Sequence, residues 1–114
     1  MKDRTVKKFW KHNKGSLYFS ADSYTDNEIN IRICNISCCD WTMIKKSALV
    51  FMGFALENRE ETYETRESDF ESHPLFGFRK TKKGYTFYLY GIVNIDVEIP
   101  TKNIDEIVLY LKSL

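Results

Sequence analysis

Apolar and polar residues alternate in two stretches near the start of the chain, residues 16–21 and 28–36. A period of two places every second side chain on one face of a strand, so each stretch predicts a strand with one buried face. The polar residues 25–27 between them predict a turn, and therefore an antiparallel hairpin. The apolar members of the two strands are Leu17, Phe19, Ala21, Ile29, Ile31 and Ile33.

The same alternation returns in the C-terminal third. Residues 75–78 and 85–92 flank a basic segment at 79–84, and residues 95–99 alternate once more. This order predicts a second hairpin with a basic tip, followed by one further strand. Residues 61–66 alternate charges with Thr and Tyr, which is typical of an exposed edge strand whose charges discourage association with other edges.

Helical spacing occurs at both ends of the chain. Residues 103–113 carry an apolar stripe and begin with Asn103 and Glu106, a pair that resembles a capping box, so they predict an amphipathic helix. Residues 6–10 place three apolar side chains at positions i, i+3 and i+4, and this spacing is compatible with a short N-terminal helix. The stripe of the C-terminal helix consists of Ile104, Ile107, Val108 and Leu111.

Residues 40–58 fit two structures. As a helix, the segment would be capped by Asp40 and would carry an apolar stripe. As a strand, Ala48 to Leu56 is a short apolar run rich in Val and Phe, typical of a strand covered on both faces. Gly53 disfavours the helix, and we therefore favour the strand. The stripe of the alternative helix would be Ile44, Ala48, Phe51, Met52 and Ala55.

Length and composition fit one domain. The chain has 114 residues, of which 43% are hydrophobic and 29% charged, so a second domain with its own core is excluded. Two Trp, seven Tyr and eight Phe supply a large core. We predict one β-rich α+β domain over residues 1–114: an antiparallel sheet with a C-terminal amphipathic helix and, as an option, the short N-terminal helix. No internal sequence repeat is visible.

Charge is nearly balanced in total but segregated along the chain. Residues 1–14 carry six basic residues and one acidic residue, a local charge of +5, whereas residues 57–71 carry seven acidic and two basic residues, a local charge of −5. Residues 79–83 are basic again. The net charge of +1 argues against a protein that binds nucleic acid or anionic lipid through bulk attraction.

Candidate catalytic groups are few. The sequence has no nucleophile elbow, no glycine-rich phosphate loop and no H-E-x-x-H helix. Asp96 and Glu98 share one face of a predicted strand, but any strand that faces solvent produces this spacing. We therefore predict no catalytic residue, no metal site and no cofactor. A small enzyme would need Asp96, Glu98 or His73 to converge with other groups in a pocket.

Three cysteines, Cys34, Cys38 and Cys39, lie within six positions. An odd and local set does not frame a disulfide-rich fold, so we expect buried, small apolar side chains in a reduced, cytoplasmic setting. Residues 1–13 are basic and do not lead into the apolar core of a signal peptide. The longest apolar run, Ala48 to Leu56, is too short to span a membrane.

The acidic block is the most specific candidate for a binding site. Its carboxylates are interleaved with Tyr63 and Phe70, and negative potential combined with aromatic anchors can steer and hold a basic protein partner. The predicted partner-binding residues are Glu60, Glu61, Tyr63, Glu64, Glu67, Asp69, Phe70 and Glu71.

The acidic segment Glu57 to Glu71 lies on a compact, aromatic-rich chain with no catalytic motif and with Ile-, Lys- and Asn-rich usage. In these respects the chain resembles the small immunity proteins of bacterial contact-dependent and polymorphic toxin systems. The resemblance concerns the general character of the whole chain and no motif. It implies a cytoplasmic protein that binds a cognate toxin, often a basic nuclease, and covers its active site or substrate path.

An alternative is a small nucleic-acid-binding protein that uses the basic blocks 2–14 and 79–83. Aromatic rings near these blocks would stack on bases, whereas the acidic block would repel phosphate. The rings concerned are Phe9, Trp10, Tyr18, Tyr85, Phe87 and Tyr88. The rings left over once one face of each strand is buried form a candidate contact surface: Tyr18, Tyr63, Phe70, Tyr88 and Tyr90.

Overall fold

The computed structural model describes residues 7–12, 15–21, 27–65 and 74–114. In this part of the chain, two four-stranded antiparallel sheets are each followed by a helix, and this architecture confirms the predicted β-rich α+β class. The first unit contains β1 (Lys7–His12), β2 (Gly15–Ala21), β3 (Glu28–Asn35), β4 (Cys39–Lys45) and α1 (Lys46–Glu57). The second contains β5 (Thr62–Thr65), β6 (Leu75–Lys80), β7 (Gly84–Tyr90), β8 (Asn94–Pro100), a 3-10 turn (Thr101–Asn103) and α2 (Ile104–Lys112).

The two ββββα units share one core. In each sheet every strand pairs with the next one along the chain, β8 packs across β1 to β3, and α1 packs against α2. Phe19 lies at the junction of these layers and is fully buried. Its ring centroid is 5.2 Å from that of Trp10, 6.2 Å from that of Phe76 and 5.4 Å from that of Tyr110. A single side chain therefore joins both sheets and α2.

The alternating stretches fold as predicted. β2 and β3 form the first hairpin, and their apolar residues face the core. β6 and β7 form the second hairpin, β8 follows it, and β5 is an edge strand of the second sheet. The predicted apolar positions of β8 and α2 are all buried: Ile95, Val97, Ile99, Ile104, Ile107, Val108 and Leu111.

Residues 7–12 form strand β1, so the option of an N-terminal helix is wrong for them. Antiparallel pairing with β2 places Trp10 opposite Leu17 on the buried face and Phe9 opposite Tyr18 on the other face. Trp10 is 4% exposed and Phe9 is 49% exposed. A period of two thus separates neighbouring apolar residues that a helix would have placed on one side. Residues 1–6 lie outside the described part of the chain.

Residues 39–57 contain a strand and then a helix, so the strand favoured for Ala48 to Leu56 is wrong. The helical alternative is right from Lys46 onward, but Asp40 lies in β4 and does not cap the helix, and Phe51 is 66% exposed. The buried face of α1 consists of Leu49, Met52, Gly53 and Leu56. Gly53 fits because α1 meets α2 there: a Cβ at this position would lie 2.9 Å from the Cβ of Leu111.

Helix α2 begins without the predicted capping box. Asn103 has helical φ and ψ angles, and its side chain makes no capping hydrogen bond. A capping side chain needs an extended backbone at this position, whereas the 3-10 turn has already wound the chain. Asp105 and Glu106 lie in the first turn, where carboxylates complement the helix dipole. Neither helix of the described residues is long and apolar enough to cross a membrane.

The cysteines are not buried apolar side chains, so that prediction is wrong. Cys34 and Cys39 lie opposite each other on β3 and β4 and form a disulfide, and Cys38 in the intervening turn is an exposed thiol. The short turn between β3 and β4 pairs Cys34 directly with Cys39, and this pairing places their two sulfur atoms within bonding distance.

Candidate functional site

The described part of the acidic block runs from the end of α1 into the edge strand β5. Glu60 and Glu61 are exposed in the connection, and Glu64 follows on β5. The main chain of Glu61 is held by β6, because its carbonyl accepts a hydrogen bond of 2.7 Å from the Lys80 N–H. Four predicted partner-binding residues lie outside the described residues: Glu67, Asp69, Phe70 and Glu71.

Tyr63, the other predicted anchor, points to the core side of β5. Its ring stacks on that of Phe78 with centroids 6.4 Å apart, and its hydroxyl donates a hydrogen bond of 3.4 Å to the carbonyl of Ala48. Burial raises its pKa above the usual tyrosine value. Tyr63 is partly buried and thus fastens the edge strand to the body of the protein.

The outer face of the second sheet carries a network that links three strands. Tyr88 on β7 lies across Gly77 on β6 and donates a hydrogen bond of 2.6 Å from its hydroxyl to Glu64 on β5. A Cβ at Gly77 would lie 2.8 Å from the hydroxyl oxygen of Tyr88. The absence of a side chain at Gly77 therefore allows Tyr88 to reach Glu64.

Arg79 connects Tyr90 and Asp96 to this network. Its guanidinium donates a hydrogen bond of 2.9 Å to the Tyr90 hydroxyl and lies 3.8 Å from a carboxylate oxygen of Asp96. It also lies 5.6 Å from the ring centroid of Tyr88 and 5.9 Å from that of Tyr90, and these two rings stack 4.3 Å apart. We call the set the acidic tyrosine face: Glu64, Arg79, Tyr88, Tyr90, Asp96 and Glu98.

The carboxylates of the acidic tyrosine face are each engaged separately. Asp96 and Glu98 share one face of β8 as predicted, but Asp96 contacts Arg79 and Tyr90, whereas Glu98 accepts a hydrogen bond of 2.8 Å from the Thr81 hydroxyl. His73 lies outside the described residues. Among the side chains that the structure describes, no three of His, Cys, Asp and Glu converge to hold a metal ion.

The buried hydroxyl of Tyr88 predicts a loss of stability at alkaline pH. Burial and the hydrogen bond to Glu64 raise the pKa of Tyr88 well above its ordinary value of 10.0. Above pH 10 the unfolded chain therefore binds fewer protons than the folded one, and the free energy of unfolding falls as pH rises. Denaturant unfolding between about pH 8 and pH 11 should show this fall, with a shallower slope in Tyr88→Phe. Equal slopes in the two proteins would contradict it.

The outer face of the first sheet carries four large side chains in one row. The strand register places Phe9 beside Tyr18, Tyr18 beside Arg32, and Arg32 beside Trp41, one residue from each strand. Phe9 is 49% exposed and Trp41 is 56% exposed, and the rings of Phe9 and Tyr18 meet edge to face at 5.0 Å. We call these four residues the aromatic row.

The sequence identified only half of the aromatic row. Phe9 and Tyr18 were among the rings near the basic blocks, but Arg32 and Trp41 were not recognised as contact residues. Their outward alternation in β3 and β4 was the available signal, and for Trp41 the uncertainty over residues 40–58 concealed it. Three other rings proposed for stacking on bases, Trp10, Tyr85 and Phe87, are buried in the core, and Tyr88 is 4% exposed.

Comparisons with protein-family models, with curated proteins and with solved structures find no match for this chain. Function is therefore inferred from the surfaces described above. The two outer sheet faces have different character, one with an excess of carboxylates around tyrosines, the other with exposed rings around an arginine.

Proposed function

We propose that this chain is a non-enzymatic binding protein that holds a basic protein partner against the acidic tyrosine face. Following the resemblance to immunity proteins, the proposed partner is a bacterial toxin domain in the cytoplasm. The observation that carries the proposal is the composition of this face, where three carboxylates lie on the same side as a stacked pair of tyrosines and only one arginine. Such a surface has the field that a cationic partner needs, and the partly exposed Tyr90 offers it a ring.

The exposed carboxylates extend this field beyond the face itself. Glu60 and Glu61 precede β5 and are solvent-exposed, so a partner that approaches the edge of the second sheet meets them before it meets Glu64. Charges of this kind raise the rate of association, and burial of the Tyr90 ring in the complex then slows dissociation. The network that fixes Tyr88 and Tyr90 reduces the side-chain entropy that binding would cost.

Neutralisation of Glu60 and Glu61 tests the proposal. We expect Glu60→Gln/Glu61→Gln to weaken binding of a toxin domain encoded beside this chain by about tenfold at low salt, mainly through a slower association rate. Lys82→Gln/Lys83→Gln is the matched control, because it removes two exposed charges of opposite sign from the tip between β6 and β7. Binding kinetics at two salt concentrations and growth during co-expression with the toxin are the measurements.

Two outcomes would contradict this proposal at different levels. Tight binding that is unchanged in Glu60→Gln/Glu61→Gln would remove the acidic surface from the interface. Failure of the chain to restore growth or to bind any adjacent toxin domain would remove the toxin as partner. Neither outcome depends on the first sheet.

A further inference from the structure

We infer that the outer face of the first sheet binds single-stranded nucleic acid across the aromatic row. This site lies on a different sheet from the acidic tyrosine face and goes beyond the function proposed above. Three observations carry it: the exposure and alignment of the rings, the charge of the surrounding positions, and the polar groups between them.

The rings form a platform of suitable size for bases. Neighbouring strands lie roughly 4.8 Å apart, so the four-strand row extends roughly 14 Å from Phe9 to Trp41. Both end rings are about half exposed, and the strands beneath them fix their positions. Unpaired bases stack on such rings whatever their sequence, and a row of this length accommodates two or three nucleotides.

The charge of this face suits a phosphate backbone. Among the outward positions whose side chains are described, Lys11, Arg32 and Lys45 are cationic, and Glu28 is anionic. Glu28 lies directly opposite Lys45 at one end of the sheet, away from the row. Arg32 lies between Tyr18 and Trp41, where a guanidinium both stacks on a base and contacts a phosphate.

Polar positions beside the row favour nucleic acid over an apolar protein surface. Ser16, Ser20 and Asn30 are half-buried polar residues that flank the row on the same face. The two serines supply hydroxyl groups that hydrogen-bond to sugars and base edges. A single strand is the form that fits, because a duplex hides the faces of its bases and leaves the rings without partners.

Fluorescence anisotropy with labelled oligonucleotides tests the inference. The probes are oligo(dT) and oligo(U) of about 12 nucleotides and a duplex of the same length, in about 50 mM salt. We expect the single strands to bind more tightly than the duplex, and Trp41→Ala to weaken their binding about tenfold. Arg32→Gln should weaken binding and make its salt dependence shallower.

The matched control is Phe51→Ala, which removes an exposed ring from α1, outside the first sheet. Because Phe51 and Trp41 are both exposed, both variants should keep the stability of the parent, and unfolding curves check this. A second readout comes from tryptophan fluorescence. Stacking on Trp41 should quench its emission, whereas the emission of Trp10, which is 4% exposed in the core, should change little on binding.

Several results would overturn the inference. These are an absence of binding by either single strand, equal effects of Trp41→Ala and Phe51→Ala, or a preference for the duplex. If Trp41→Ala instead abolished binding of the toxin partner and left oligonucleotide binding unchanged, the row would belong to a protein interface. Since Glu60→Gln/Glu61→Gln should leave oligonucleotide binding intact, this proposal and the proposed function fail independently.

Discussion

Replacement of Phe19 by alanine is expected to lower the free energy of unfolding by about 3–5 kcal/mol. Phe19 is fully buried, and its ring contacts Trp10, Phe76 and Tyr110. The substitution therefore opens a cavity where the first sheet, the second sheet and α2 meet, and three large rings lose contacts at once. Domains of this size have a total stability of roughly 5–15 kcal/mol, so the loss is a large share of the whole.

Phe9→Ala is the matched control for this experiment. Phe9 is the same residue type on the strand next to Phe19, but it lies on the outer face and is 49% exposed. We expect its replacement to cost no more than about 1 kcal/mol. Equilibrium unfolding in urea measures both variants. Similar losses for Phe19→Ala and Phe9→Ala would contradict the assignment of the inner and outer faces of the first sheet.

The strands that bury one face could be predicted from the sequence. In such a strand, apolar residues at every second position mark the buried face. β2, β3 and β8 follow this rule, and their apolar residues all face the core. The rule failed at residues 6–10, where Phe9 and Trp10 are adjacent apolar residues. One faces the core and the other faces out, and an exposed ring disturbs the pattern in the same way as helical spacing does.

The sequence offered helix α1 as an alternative but could not decide for it, because apolar residues lie on all sides of the helix. Phe51 and Phe54 are exposed while Leu49, Met52 and Leu56 are buried, so no polar face marks its period. Gly53 counted against a helix, yet it lies at the contact with α2, where a larger residue would not fit. Helix propensity describes an isolated segment, whereas the packing of α1 against α2 is what requires a glycine at position 53.

The repetition of the ββββα unit is likewise invisible in the sequence. Both units share the order of strands and helix, but the outer face of the first contains Phe9, Tyr18 and Trp41, and that of the second contains Glu64, Tyr88 and Asp96. Only a common burial pattern is needed to repeat a fold, so the outward residues are free to differ. This explains how a chain with a net charge of +1 presents two faces of opposite character.

The candidate site could be predicted only in part, because it depends on register. The acidic block was visible as a run of carboxylates, but the partners of Glu64 come from β6 and β7, more than ten positions away. The sequence placed Tyr88 among rings for stacking on bases. Its hydrogen bond to Glu64 and its position over Gly77 instead make it the structural link of the acidic tyrosine face.

Gly77→Ala is expected to destabilise the protein by about 2–3 kcal/mol, since overpacking of a fixed site costs energies of this order. The new methyl group would collide with the carbonyl oxygen of Tyr63 and lie 2.8 Å from the hydroxyl oxygen of Tyr88. The first atom belongs to the backbone of β5 and cannot move without loss of strand pairing. The second must shift, which breaks the hydrogen bond between Tyr88 and Glu64.

Gly91→Ala is the control for this substitution, because the nearest atom to its new methyl group, the Cα of Pro74, lies 3.2 Å away and the next contacts lie at 3.5 Å. We expect it to change stability by less than about 1 kcal/mol. Urea unfolding of both variants gives the comparison, and ultraviolet titration of the tyrosines reports on Tyr88: its loss of the Glu64 partner should bring its raised pKa back toward the ordinary value in Gly77→Ala. Equal stabilities of the two variants, or an unchanged titration, would show that Gly77 does not hold Tyr88 in place. The acidic tyrosine face would then lose the physical basis for its fixed rings.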